Sequence, residues 1–462
     1  MSSCYSHYPI MSYLSNSKRS IGTVYMPSKT IFQVATSTTF QESKLVINEV
    51  GDYRVSRELQ LNELPYDTPL YARVKHINDL TGESNWSPRV TFKVHNPASI
   101  IGVCLDSSVS PGSWSWIDAN GNKVDSFNYT SHPTYANCTM STVGLNAAAC
   151  KMTSIPKFYV RTSPTGIPGS YSEGKKCWWI SDLPTEGFRV HPAFKSSATT
   201  EVDTVMIATY QANAVTINDI ETLGSEEGQS IANYIDYNHL LNMAAYKGTG
   251  WRIMNAYHVS LLRFLGIMAM GYADSEAVFG TNYASNSDPL SGSSNSKLIL
   301  RGTDVSKVYI DDLWAMRNCI CDYMFCIDEE GTLDLREPYG HGAVSVVFNT
   351  GDKSRYSITP NSVSATYFND VLDCPYNLGS TTYDLMEFFI GKSDTYSDIE
   401  SSAFKDTCEV VTSSDDPPYV LLVGDSWNHA NKGAGLFHTS FKWSKGYNYR
   451  YNGTRLTYQA FE

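Results

Sequence analysis

The chain has 462 residues, too many for one ordinary core, so two or three domains are expected. Its net charge of -12 repels phosphate backbones, and no basic stripe with interleaved aromatics offsets it, which argues against nucleic-acid binding. Charged residues make up 18% of the chain, against about 25% in a typical globular protein. Aromatics make up 13%, with 31 tyrosines, so apolar rings with wet tips are in excess. Together with the abundant Ser, Thr, Gly and Asn, that composition is closer to paratopes and adhesins than to metabolic enzymes.

Residues 1–22 are polar and Ser/Tyr-rich without periodicity, and read as an N-terminal arm. They lack the apolar core of a secretory signal, so ordinary export is not expected. The most apolar helix candidate, Val259–Ala273, is too short for a bilayer and carries Arg263, so no membrane insertion is expected.

From 23 to 96 short strand-like runs alternate with turn signals: Ile31-Phe32, Leu45-Val46-Ile47, and Leu70-Tyr71-Ala72-Arg73-Val74-Lys75. Residues 97–154 form a β-rich connecting region in which Asn120-Gly121 between apolar flanks predicts a hairpin. Ile155-Pro156-Lys157-Phe158-Tyr159-Val160 reads as one buried strand. Two helices follow. The first carries Ile231, Tyr234, Ile235, Asn238, Leu241 and Ala245 near one face and stops at Gly248. The second is capped by Asn255 and carries Tyr257, Leu261, Phe264, Leu265 and Met268 as a core stripe. A Ser/Asn/Gly-rich loop is expected between Ala277 and Lys297, then short strands to the end.

The ten cysteines are scattered rather than spaced as a small disulfide scaffold, and read as buried free thiols. Cys319, Cys321 and Cys326 form a C-x-C-x4-C group, three ligands where a structural zinc needs four, so no metal is assigned. Asp311-Asp312 and Asp415-Asp416 read as solvated loop charges, without the spacing of a calcium loop. No cofactor is expected.

Tyr71, Arg73 and Val74, then Ser84, Trp86 and Ser87, resemble the Y-x-R-V and S-x-W-S signature of a fibronectin type III domain over residues 23–96. The resemblance implies a spacer in which Trp86 is a core residue. Further on, three landmarks occur in order: first Ile155 through Val160, Cys177-Trp178-Trp179-Ile180-Ser181 and Gly187 through Phe194; then the helix pair joined by Gly248-Thr249-Gly250-Trp251-Arg252-Ile253-Met254; then Gly424, Trp427, Asn428, Gly433, Ala434, Gly435 and Phe437. Together they resemble the C-type-lectin-like domain of bacteriophage tail-fibre and receptor-binding proteins, a core shared with formylglycine-generating enzymes, over 155–462. The family's L-W-G-N-V-W-E-W block survives only as Leu313-Trp314-Ala315-Met316, so Trp314 takes a core role alone.

The fold expected is mainly β with an α+β C-terminal domain: a fibronectin III-like β-sandwich followed by a C-type-lectin-like domain. The resemblance implies a phage virion adhesin, attached through its N-terminal region to other virion proteins, trimeric as such fibres are, and binding a host surface glycan or receptor protein. The ligand-binding residues expected on it are His438, Lys442, Trp443, Tyr447, Asn448, Tyr449 and Tyr451, rings to stack and Asn or Lys to hydrogen-bond. A structural decoration, baseplate or collar protein is the alternative. The enzyme reading rests on Gly424-Asp425-Ser426 with His429 and His438, which spells the nucleophile block of GDS-type esterases outside its usual place at the start of that fold. Formylglycine-generating chemistry needs a late cysteine pair, and no cysteine follows Cys408. Catalysis is therefore not expected.

Overall fold

The computed structural model describes residues 28–51, 68–79, 82–93, 98–144, 149–195, 200–280, 289–302, 307–314, 316–322, 325–327, 333–338, 347–349, 366–371, 375–378, 381–391, 395–396, 399–410, 420–425, 434–441, 443–444 and 446–459. The expected arm at 1–22 lies outside them. The chain is mainly β and divides into two compact units, Met1–Pro97 and Ala98–Glu462.

The first unit contains β1 (Lys29–Ala35), β2 (Leu45–Gly51), β3 (Pro69–Asn78), β4 (Gly82–Glu83) and β5 (Val90–Lys93), paired in one antiparallel sheet with β1 and β3 at its centre. The alternation in β1 and β3 turns Phe32, Val34, Leu70, Ala72 and Val74 to one buried face. Trp86 departs from expectation. It is half-buried outside that cluster. The Arg73 guanidinium lies 4.0 Å from its ring centre and 4.0 Å from that of Phe40. The opposite face of the sheet is thus covered by an arginine held between two rings.

The second unit begins with β6 (Ile100–Asp106), β7 (Ser113–Ile117) and β8 (Lys123–Val124), followed by a short helix α1 (Pro133–Ala136). Next come β9 (Thr139–Val143), β10 (Cys150–Pro156), β11 (Tyr159–Ser163), β12 (Lys176–Ser181), β13 (Arg189–Val190) and β14 (Thr204–Ala208). The predicted hairpin is present: Gly121 adopts a φ of 79° between β7 and β8. The single strand expected over 155–160 is broken at Lys157-Phe158 into β10 and β11, which join different sheets. The boundary expected at 154/155 is also absent. Strand β6 lies between β12 and β7 in a six-stranded sheet, and β9 and β10 pair with β14's sheet, so 98–154 is part of the same core.

The unit continues with β15 (Asn213–Ile217), β16 (Ile220–Gly224), α2 (Tyr237–Ala245), β17 (Trp251–Ile253), α3 (Ala256–Met270) and α4 (Ser275–Phe279). Helix α3 starts where expected: Asn255 and His258 form a reciprocal capping box, and Gly271 ends it in the left-handed conformation. All fifteen of its residues are buried, the pattern of a central helix rather than a surface one. Helix α2 is shorter than expected. Asp236 caps it, so Ile231, Tyr234 and Ile235 lie before its first turn.

The remaining strands are β18 (Leu298–Arg301), β19 (Val308–Ile310), β20 (Asn318–Ile320), β21 (Phe325–Ile327), β22 (Leu333–Pro338), β23 (Val347–Asn349), β24 (Thr366–Phe368), β25 (Pro375–Leu378), β26 (Thr381–Asp384), β27 (Thr395–Tyr396), β28 (Thr407–Val410), β29 (Leu422–Val423), β30 (Thr439–Phe441), β31 (Asn452–Thr454) and β32 (Leu456–Tyr458). A seven-stranded sheet runs β27-β24-β28-β30-β29-β20-β31, and a five-stranded one β17-β32-β14-β10-β9. Between β31 and β32 stands one residue, Arg455. Its buried guanidinium donates to the carbonyls of Ala208, Thr209, Asp311 and Asp312, so the chain crosses between the two sheets on a hydrogen-bonded pivot.

Asp311 and Asp312 are therefore not solvated. Both are fully buried, Asp311 against Lys297 and Asp312 accepting from the Gly292 N–H. Asp415 and Asp416 lie outside the described residues. The seven cysteines with described side chains are buried, and no group of three or more His, Cys, Asp or Glu suited to a metal occurs among the described residues. No helix is long and apolar enough to cross a membrane among the described residues.

The interior charges set an expected pH profile. Burial pushes Glu276 and Asp312 up to about 7 from ordinary values of 4.5 and 3.8. With the folded value above the unfolded one, folding takes up protons, and stability falls as pH rises through about 4 to 7. Burial pulls His258 down from 6.5 to about 3, so its contribution is full above 6.5 and is lost as pH falls toward 3. The two trends oppose each other between about pH 4 and 6.5. The two carboxyls outweigh the one imidazole in that range, so calorimetry across pH should give a maximum near its acid end and a fall toward pH 7, which Glu276→Gln should lessen. A melting temperature that rises steadily from pH 6 to 8 would contradict these assignments.

Candidate ligand-binding surface

The segment joining β30 to β31 carries most of the residues expected to bind. Its anchors are backbone hydrogen bonds at both ends. The Val420 N–H donates to the Trp443 carbonyl at 2.9 Å, and the Asn318 N–H to the Tyr451 carbonyl at 2.8 Å. The Asn452 N–H donates back to Tyr449 at 3.1 Å, which turns the chain into β31. The loop is thus suspended from β20 and from the residues before β29, toward the β31 edge of the seven-stranded sheet.

Four rings follow one another along it. Trp443 and Tyr447 stack with centroids 3.8 Å apart and planes within 4°. Tyr447 and Tyr449 are tilted at 5.7 Å, and Tyr449 and Tyr451 meet edge to face at 4.8 Å. The tilted and edge contacts suit the quadrupoles of the rings, whereas Trp443 and Tyr447 lie face to face. Trp443 is the inner end, packed partly against the cluster of Leu240, Met243, Leu422 and Leu456. Exposure increases outward to Asn448, to Tyr449 at 37%, and to Arg450. Arg450 is fully exposed, stands 4.7 Å from the Tyr451 ring centre and donates to its hydroxyl at 2.5 Å. That hydrogen bond raises the Arg450 pKa further, while partial burial raises that of Tyr447.

A fifth ring, missed from sequence, sits beside the row. Tyr234 is 58% exposed, has a φ of 54°, and its N–H donates 3.4 Å to the Tyr449 carbonyl. Helical periodicity placed it on the buried face of a helix, whereas the helix starts only after Asp236. A bulky residue held in the left-handed region is uncommon, and such strain concentrates at functional positions. Nothing in the sequence marked it, because its backbone partner, the Tyr449 carbonyl, lies more than two hundred residues further along the chain.

Two expected residues fall elsewhere. His438 is completely buried; its Nδ1 bonds the Thr407 hydroxyl at 2.9 Å, and its carbonyl accepts from Arg263. It is a core residue and is not exposed to a ligand, since the chain at 434–441 runs beneath α3 and α4 rather than along the surface. Lys442 lies outside the described residues, as do Ser426, Trp427, Asn428, His429 and Gly433 of the two motifs read there.

The described part of the glycine motif has a structural role. Four successive backbone N–H groups, at Ala434, Gly435, Leu436 and Phe437, are accepted by Glu276, Asp406, Ser275 and Asp406 in turn. Trp178, Trp179 and Trp314 are fully buried, as expected, and Trp251 is half-buried against Tyr458 with centroids 4.9 Å apart. Of the motif residues described, Trp178, Trp179, Ala434, Gly435 and Phe437 are buried, while Gly187, Gly248 and Thr249 are exposed. No protein-family model matches the chain, and no curated protein sequence matches it.

Proposed function

We propose that this chain is a noncovalent adhesin of a bacteriophage particle, its second unit binding a host surface glycan or receptor protein through the aromatic row at Tyr447–Tyr451 and Tyr234. The observation that carries this reading is the exposed succession of rings, completed by a tyrosine held in a strained backbone conformation. Rings of this kind offer large rigid contact area at low entropic cost, and the interleaved Asn448 and Arg450 supply hydrogen bonds. Weak single sites of this type become effective when several copies act together, as a trimeric fibre would provide. The virion setting and the trimer come from the resemblance to tail-fibre proteins.

Binding of the labelled chain to a panel of intact bacterial cells and a glycan array tests it. Tyr449→Ala and Tyr234→Gly are each expected to weaken saturable binding about ten-fold with unchanged folding. Tyr234→Gly is the sharper variant, because glycine suits a φ of 54° and stability should hold or rise while binding falls. Trp443→Ala is less informative, since that ring also packs on the interior. A folded wild-type chain that binds no cell or glycan, yet binds purified virions, would replace the adhesin by a structural decoration protein.

A further inference from the structure

We propose that Cys104 and Cys177 are a redox pair that forms a disulfide on meeting a small disulfide oxidant such as oxidised glutathione, locking β6 to β12 at the centre of the six-stranded sheet. The two cysteines are direct partners in the antiparallel register of these strands. Opposed residues in such a pair have Cα atoms about 4.5 or 5.5 Å apart, and both values lie within disulfide reach. Their side chains hydrogen-bond each other. Both are buried on the sheet face shared with Ile117 and Trp179, opposite the main core.

That face is covered by the 164–175 loop rather than by a second sheet. The Cys177 Sγ lies 3.3 Å from the Lys175 carbonyl, and most of the loop's residues are exposed. Opening a surface loop is a far smaller event than unfolding the core, so a small oxidant reaches the pair by local motion. The chemistry is also asymmetric. The hydrogen bond with Cys177, helped by Lys175 and Lys123 and opposed by burial, lowers the Cys104 pKa, so Cys104 is the thiol that ionises first. The Cys104 thiolate attacks one sulfur of the oxidant and expels the first thiolate, leaving a mixed disulfide. Cys177 then gives its proton to solvent and attacks the Cys104 sulfur, expelling the second thiolate. Two protein thiols are oxidised, one small disulfide is reduced to two thiols, and the electrons balance.

Other buried thiols differ. Cys319 and Cys321 also hydrogen-bond each other, but they are two apart in sequence, Cys321 just past the end of β20, rather than opposed across two strands. The test is incubation of the native chain with oxidised glutathione, then alkylation, intact mass and peptide mapping. The expected result is a mass lower by about 2 Da with a single 104–177 cross-link, and a melting temperature raised by roughly 5 °C because a long loop is closed. Cys104→Ala and Cys177→Ala should each abolish both changes, with circular dichroism checking their fold. Should either variant fail to fold, the wild-type peptide map decides. A native chain that keeps both thiols while the denatured chain oxidises, a stable glutathione adduct without cross-link, or a cross-link at other cysteines would overturn the proposal.

Discussion

Replacing Arg263 with methionine is expected to cost about 3–5 kcal/mol of folding stability, the range seen when one partner of a buried charged network is removed. The guanidinium leaves α3 and donates to the Leu436 carbonyl at 3.0 Å, Phe388 at 2.6 Å, and His438 at 2.7 Å, with the Thr439 hydroxyl at 2.8 Å. One side chain thus joins the central helix to the 385–390 turn and to the start of β30. Burial pulls its pKa down to about 10 and the nearby Asp406 opposes that shift, so it remains charged at neutral pH. Methionine fills most of the stem volume but leaves three buried carbonyls without donors, each worth about 1 kcal/mol or more. Arg263→Lys keeps the charge and loses the planar fork, so it should recover only part of the loss. Urea titrations at unchanged slope measure both. A loss below about 1 kcal/mol for the methionine variant would mean that water replaces the guanidinium at these carbonyls.

The second large effect is expected at Gly435, where alanine should cost about 2–3 kcal/mol. A Cβ there would overlap both the Asp406 carboxylate and the Ser275 hydroxyl, the groups that accept the Gly435 and Leu436 N–H groups. Neither can retreat without releasing a buried donor. The cost arises from space alone, because no left-handed conformation is involved at this glycine. Ser275→Gly in the Gly435→Ala background should restore part of the stability by removing one of the two obstructing oxygens. A double-mutant cycle on denaturant midpoints reads that coupling, and strict additivity would show that the two residues do not share the contact.

Both effects fall on the segment that sequence reading assigned to ligand contact at His438. The run after the glycines was legible as Tyr-rich and adaptable, but not as two layers. Residues 434–441 are buried under α3 and α4, and among the described residues that follow the exposed positions begin at 446. Asp406 lies about thirty residues before the N–H groups it accepts, a pairing no local pattern displays.

What the sequence determined by itself was local or compositional. Its strand-like runs and turn residues specify a mainly β chain, the Asn120-Gly121 hairpin, and helix α3 between an Asn255 cap and Gly271, because backbone sterics and nearest-neighbour hydrogen bonds act over a few residues. Tertiary structure alone decided which β residues share a sheet. It drew 98–154 into the second unit, buried Asp311 and Asp312 beside Lys297 and Arg455, moved the start of α2 past Tyr234, and turned that ring outward beside Tyr449. Several of these outcomes depend on partners far along the chain, as Arg455 is from Asp311 and Tyr449 from Tyr234, and such carbonyls and packing surfaces outweigh the intrinsic preference of any short segment.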